Sequence, residues 1–173
     1  CTKFKRFIRG GTVDRPTEND IEKLKALNVT TVIDLRGDFE FINQPNGTER
    51  LTDNVEHISL YEMNVAEAKG MKKALTEVYE YIIDNYKENV CKALKSVADA
   101  PDGTVFYHCF LGKDRTGILS MLLLTIAGVE EDDIVADYQL TYTYLEKYMC
   151  THADTLWDTD PENHYSLPQT MRS

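Results

Sequence analysis

Apolar and polar positions along the chain change period several times, and each change marks a boundary between a strand and a helix. Residues 2–8 (TKFKRFI) interleave apolar with basic side chains in a way that suggests a strand, and the Gly-, Pro- and Asp-bearing stretch after them reads as a loop. From Thr17 the period lengthens. Ile21, Leu24 and Leu27 share one face of a helix over 18–27, with Thr17 as its cap and Asp20 three residues on. Val29 to Leu35 (VTTVIDL) is β-branched and almost unbroken, the pattern of a strand buried on both sides. A loop rich in Asn, Pro and Gly around Gln44–Thr48 and a strand near Val55–Leu60 follow.

Helical spacing returns from Ala66 to Val97, carried by Met71, Leu75, Val78, Tyr79, Ile82 and Tyr86, with a break near Asn89. Ala100 to Gly103 is a turn and Thr104–Tyr107 a short strand. A Gly-bearing loop leads into an apolar helix over Arg115–Ala127, and a further helix occupies Glu130–Met149. The tail from Thr151 has two prolines and weak periodicity, and is expected to be irregular. Strands alternating with helices predict an α/β fold: a central, mostly parallel sheet flanked by helices, formed by one domain over 1–173.

Composition narrows the partners. A net charge of −10 argues against nucleic acid or an anionic membrane held by bulk charge, so an anionic substrate needs local positive groups. The basic stretch Lys3, Lys5, Arg6 and Arg9 is expected to be a solvated edge strand. The longest apolar run, Ile118–Ala127, falls well short of the roughly 20 residues that span a bilayer, so stable membrane insertion is not expected. Cys1, Cys91, Cys109 and Cys150 have neither CxxC nor zinc-like spacing, which favours a reducing compartment. An exported protein with unpaired thiols is the alternative, and an acylated Cys1 a lesser one. The chain opens on Cys1 with no targeting segment in view, as expected of a trimmed N-terminus.

The chemistry lies in His108-Cys109-Phe110-Leu111-Gly112-Lys113-Asp114-Arg115-Thr116-Gly117. A bare Cys-x5-Arg would arise by chance in this composition roughly one time in six. Its surroundings make it specific: a β-run before, an apolar helix after, glycines within, and His and Thr on either side of the Cys and Arg. A loop that joins a strand to a helix N-terminus turns its amides inward, so Phe110, Leu111, Gly112, Lys113, Asp114 and Arg115 are expected to bind the substrate phosphate, or phosphate or sulfate in its place. Arg115 offers a planar fork to two oxygens, and the positive field favours a Cys109 thiolate that attacks phosphorus. Asp114 is the first choice for the acid that protonates the leaving oxygen, the alternative being a carboxylate that merely meets the helix dipole. Lys113 is expected at the rim, where it can hold a second phosphate or simply be solvated. His108 is expected to order the loop, and the Thr116 hydroxyl to donate to sulfur. No metal or other cofactor is called for.

The string HCFLGKDRTG resembles the signature loop of a bacterial tyrosine-phosphatase family, the one typified by mycobacterial PtpB and Listeria LipA. Phe7 to Gly11 is similar to the family's Arg-Ser-Gly element, with Gly10 in place of Ser, and Asp34-Leu35-Arg36 with Glu40 to its D-L-R…E element. Ile134–Tyr138 is similar to the segment after the catalytic helix, so the likeness covers about residues 4–145. It implies a cysteine-phosphatase fold, with Cys109 as nucleophile, Arg115 as phosphate ligand, and Lys113 and Asp114 as the loop pair. It also implies substrates among phosphotyrosine, phosphoserine, phosphothreonine and phosphoinositides, in a cytoplasmic or secreted bacterial protein. An N-F-R-D-hydrophobic-G-G segment near the family's start and further helical chain at its end are not found, consistent with trimming at either end.

Supporting positions carry plainer alternatives. Asp34 and Arg36 suit a structural ion pair better than a substrate contact. Asp137 suits either support of the loop from behind or helix packing. Cys1, Cys91 and Cys150 read as structural, and His57, His152 and His164 as ordinary polar residues. Rival functions are a rhodanese-like or arsenate-reducing thiol enzyme, a pseudophosphatase that binds without turnover, and a redox sensor.

Overall fold

The computed structural model describes residues 5–44, 46–62 and 75–151. Strands β1 (Phe7–Gly10), β2 (Val29–Asp34), β3 (Val55–His57) and β4 (Thr104–His108) form one sheet in the order β1-β4-β2-β3. All three pairings are parallel, so the sheet is parallel throughout rather than mostly so. Around it lie α1 (Glu18–Ala26), α2 (Asp38–Asn43), α3 (Leu75–Asn85), α4 (Lys87–Asp99), α5 (Asp114–Ile126) and α6 (Glu131–Thr151), with a 3-10 turn at Gly47–Arg50.

The strands that read as apolar runs are the central ones. Every residue of β4 is buried, and so is every residue of β2 but Thr30. Side chains alternate across the sheet. Ile33, Val105 and Tyr107 face a large core completed by Ile82 of α3, by Val90, Ala93 and Val97 of α4, and by Ile118 and Leu119 of α5. Val32 and Phe106 face a smaller core with Val29, Ile8 and Val55. Each aliphatic side chain so enclosed contributes roughly 1.5–3 kcal/mol.

Several boundaries differ from the sequence expectation. The helix expected over Ala66–Val97 is divided at Tyr86 rather than Asn89; Tyr86 ends one helix through its amide on Ile82 O (2.9 Å) and starts the next by accepting from Val90 N (2.8 Å). Its part from 66 to 74 lies outside the described residues. Helix α2 was not anticipated: it exposes Phe39 and Ile42, so no amphipathic period marks it. Strand β1 starts at Phe7, later than expected, and β3 ends at His57, before Leu60. The capping box of α1 is present, with Asp20 N on Thr17 Oγ1 (3.2 Å) and Thr17 N on Asp20 Oδ2 (3.0 Å).

Strand β1 is an edge strand, but its arginines are engaged rather than solvated. Arg6 donates to the carbonyls of Pro101 and Gly103 (2.7 Å each) and Ala100 (2.9 Å), clamping the turn before β4. Arg9 binds Asp137 of α6. No helix among the described residues is long and apolar enough to cross a membrane.

Parallel pairing aligns the carboxyl ends of three strands. Gly10 and Asp34 both lie beside His108 in the register. The chain that leaves each of these strands therefore meets at one edge of the sheet, where parallel α/β sheets bind ligands.

Candidate active site

Residues 109–113 form the loop between β4 and α5, and glycines let it close tightly. Gly112 has φ +74°, and a Cβ there would lie 2.4–2.6 Å from the backbone of Gly10 and Gly11. A Cβ on Gly11 would in turn lie 2.8 Å from Phe110 O. Thr12 N donates to Phe110 O (2.9 Å), so residues 10–12 after β1 make a shelf for the loop. Helix α5 has no side-chain cap, and its first turn closes with Gly117 N on Lys113 O (2.8 Å). The amides of Asp114, Arg115 and Thr116 therefore precede the helix's own hydrogen bonds, at its positive end. This is a setting built for an oxyanion.

Cys109, 2% exposed, opens the loop. Arg115, also buried, comes from the first turn of α5 and is held from across the site by Glu40 of α2. Its Nη1 donates to Glu40 Oε2 and its Nη2 to Oε1 (3.1 Å), a two-pronged ion pair, and Nη1 also reaches Tyr61 O (3.4 Å). Burial works against the arginine's charge, but the Glu40 hydrogen bonds, Cys109 and the Glu40 and Asp114 carboxylates outweigh it and push the guanidinium further up. Burial also opposes the Glu40 charge, yet the hydrogen bonds from Arg115 hold that carboxyl below its usual range. Gly37 N donates to the same Oε2 (2.9 Å) and fixes the carboxylate from behind.

Beneath the loop lies a polar cluster in which Asp34, Arg36 and His108 are fully buried and Asn46 half-buried. Arg36 donates through Nε (3.0 Å) and Nη2 (2.7 Å) to Asp34, and neither side chain reaches solvent. Asn46 Nδ2 donates to Asp34 Oδ2 and contacts His108 Nε2, 3.0 Å each. The Cys109 carbonyl can only accept, so the ring proton sits on Nδ1 and donates to Cys109 O (3.0 Å), which leaves Nε2 of the neutral ring to accept from Asn46. Burial chiefly pushes the His108 imidazole below its usual value, with Asp34 only partly opposing. A neutral ring therefore ties the backbone of Cys109 to the sheet.

On the other flank, Asp114 is partly exposed, its side chain 32% so. Its Oδ1 accepts from the Tyr79 hydroxyl of α3 and lies 3.6 Å from Lys113 Nζ. Tyr79 Oη is 2.6 Å from Tyr138 Oη of α6. Lys113 is not a solvated rim cation: its side chain is 4% exposed and its Nζ lies 5.8 Å from the centroid of the Tyr142 ring.

A family model described as "Tyrosine phosphatase family" matches residues 1–171. The chain belongs to the tyrosine phosphatase family. It is 33% identical over 147 residues to a tyrosine-protein phosphatase of Nostoc commune, covering 81% of this chain and 49% of that protein. It is 27% identical over 166 residues to the triple specificity protein phosphatase PtpB of Mycobacterium tuberculosis, covering 77% of this chain and 59% of that one. The chain thus spans about half the length of the curated relatives it matches. A solved mutant form of Tk-PTP is 18% identical, with a TM-score of 0.39 over 78% of this chain and 75% of that one.

Within this tyrosine phosphatase family member, several expected contacts take another form. The Thr116 hydroxyl is buried without a hydrogen-bond partner, so no bond to sulfur is formed. Asp137 faces β1: it pairs with Arg9 (2.6 Å), and Arg9 also reaches Thr141 Oγ1 (3.3 Å), joining α6 to β1. Asp34 and Arg36, by contrast, form the structural ion pair expected of them, in the buried layer. Phe110 and Leu111 are half-buried, and Cys91 is exposed on α4 rather than structural. Residues 1–4 and 152–173, with Cys1, His152 and His164, lie outside the described residues, as does the side chain of Cys150.

In the sequence Glu40 stands out only as part of the D-L-R…E string, with no role attached. Its spacing from Arg36 was visible, but its pairing with Arg115 spans 75 positions and only the fold shows it. Asn46 and Tyr79 were missed as site residues, because a polar residue in a turn and a Tyr on a helix face carry no local signal. Among the described residues, no group of three His, Cys, Asp or Glu is placed to hold a metal ion.

Proposed function

We propose that this chain hydrolyses phosphate monoesters through a phosphocysteine intermediate on Cys109. The observation that carries the reading is Arg115, buried within electrostatic reach of Cys109, its guanidinium gripped by Glu40 where the amides of the first turn of α5 have no helical acceptor. Substrate phosphate seats in the loop, with the Arg115 guanidinium and the amides of 110–115 on its oxygens. The Cys109 thiolate forms the S–P bond as the P–O bond to the leaving group breaks, and Asp114 passes its proton to that oxygen. Asp114, now ionised, takes a proton from water as the water oxygen attacks phosphorus. The S–P bond breaks, the electron pair returns to sulfur, and inorganic phosphate leaves.

For substrate class, we place phosphotyrosine first, with phosphoserine, phosphothreonine and phosphoinositides as the wider range. The family supports the first, and the name of the mycobacterial relative, triple specificity, supports breadth. The burial of Lys113 against Asp114 and Tyr142 gives no support to a second phosphate held at the rim.

A phosphate-release panel of phosphotyrosine, phosphoserine and phosphoinositides tests this, with Cys109→Ser as control. The wild type should release phosphate from phosphotyrosine, and the control should lose on the order of 10⁴-fold or more in kcat. Tight phosphopeptide binding by a wild type that releases nothing would make the protein a binding module instead.

A further inference from the structure

We infer that Tyr79, backed by Tyr138, is a positioning residue that selects which oxygen of Asp114 carries the transferable proton. The inference rests on the phosphatase reading above and deepens it.

The two phenols connect three helices to one carboxyl group. Tyr79 projects from α3, Tyr138 from α6, and Asp114 from the first turn of α5. The Tyr79 hydroxyl donates to Asp114 Oδ1. A phenol has one proton, so with that proton on Asp114 the 2.6 Å contact between the hydroxyls requires Tyr138 to donate to Tyr79. The chain therefore runs one way, from Tyr138 through Tyr79 to Asp114, and each donor strengthens the next. Burial, first among the causes, pushes both phenols up, so both remain donors across the working pH range.

Lys113 Nζ lies 3.6 Å from the same Oδ1. That oxygen is thus approached by a phenol proton and a cation, and a carboxyl proton placed on it would face both. The proton of the acid form is left to Oδ2. A carboxyl able to rotate would present it to the leaving oxygen only part of the time; a carboxyl pinned at Oδ1 presents it whenever substrate is seated. The pin is itself well seated. Tyr138 packs so closely on α5 that a Cβ on Gly117 would lie 2.7 Å from its ring. Its ring also meets those of Tyr79 and Tyr142 edge-on, with centroids 6.5 and 6.3 Å away.

A residue that merely supported the fold would alter turnover of all substrates alike. One that aims an acid matters most when the leaving group needs its proton. The test measures kcat and KM for aryl phosphates of increasing leaving-group pKa in wild type, Asp114→Asn, Tyr79→Phe and Tyr138→Phe. Inhibition by inorganic phosphate reports whether each variant keeps its loop. Tyr79→Phe should lower kcat about 10-fold or more for the poorest leaving groups and under about 2-fold for the best, with KM and phosphate inhibition retained. Tyr138→Phe should act in the same sense and more weakly. If Tyr79→Phe loses phosphate inhibition, its loop has failed and Tyr138→Phe decides. Uniform slowing across the series, or none, in a tyrosine variant that still binds phosphate overturns the inference, provided Asp114→Asn does show the dependence. If Asp114→Asn shows none, the acid assignment itself falls, and the inference with it. A wild type inactive on every aryl phosphate would remove the phosphatase reading beneath both.

Discussion

Glu40 is the residue that keeps a buried arginine charged. Without a carboxylate, Arg115 would be a cation enclosed by protein, left among the described residues with the Tyr61 carbonyl as its acceptor. Glu40→Gln keeps the shape and loses the charge. Charge-assisted hydrogen bonds contribute roughly 1.5–3 kcal/mol, so kcat/KM for an aryl phosphate should fall roughly 10- to 100-fold, mostly through KM. Unchanged kinetics would show that the guanidinium needs no anchor. Gly112 is as exposed to test. At φ +74°, with Gly10 and Gly11 backbone against its missing Cβ, Gly112→Ala should cost about 1–3 kcal/mol in urea unfolding and abolish inhibition by phosphate. A variant of wild-type stability and phosphate inhibition would deny the shelf its role.

Among elements, the strand, loop and helix that carry the signature were the most legible. β4 is buried throughout and α5 is apolar nearly all round, so each leaves an unbroken run in the sequence. α2 was not legible, because it is six residues long, leaves Phe39 and Ile42 in solvent, and serves chiefly to deliver Glu40. The arginines of β1 read as solvated from their neighbours in sequence, while their partners lie 94 to 132 positions away. Such long-range pairings fix element positions yet have no local period. The contact of α6 with β1 tests this. Asp137→Asn should lower stability by about 1 kcal/mol, discounted for partial exposure, and leave kcat unchanged. A large loss of kcat with stability intact would return Asp137 to the loop's support.

For the whole molecule, the buried polar layer under the loop makes stability depend on pH in two windows. Burial opposes the Asp34 charge, but the Arg36 hydrogen bonds outweigh it and hold the carboxyl below its usual value. Its contribution is present above the unfolded carboxyl pKa of about 4 and disappears as pH falls through the lower folded value. His108 is also depressed, by burial first. The unfolded chain takes up its proton below about pH 6.5 while the folded chain resists, so stability falls as pH drops through that range. Urea midpoints should therefore decline from pH 8 to pH 5, and less steeply in His108→Gln; a flat wild-type profile would contradict a neutral, buried ring.

In the mechanism proposed above, the same ring, the Glu40–Arg115 pair and the shelf at residues 10–12 all serve one outcome, a sulfur placed to take a phosphoryl group. Mixing the protein with p-nitrophenyl phosphate, quenching in acid within one turnover and mapping peptides by mass reads that outcome directly. One phosphoryl group should appear on the peptide containing Cys109 and on no other. Steady release of phosphate with no such adduct at any quench time, or with Cys109→Ser still active, would contradict it.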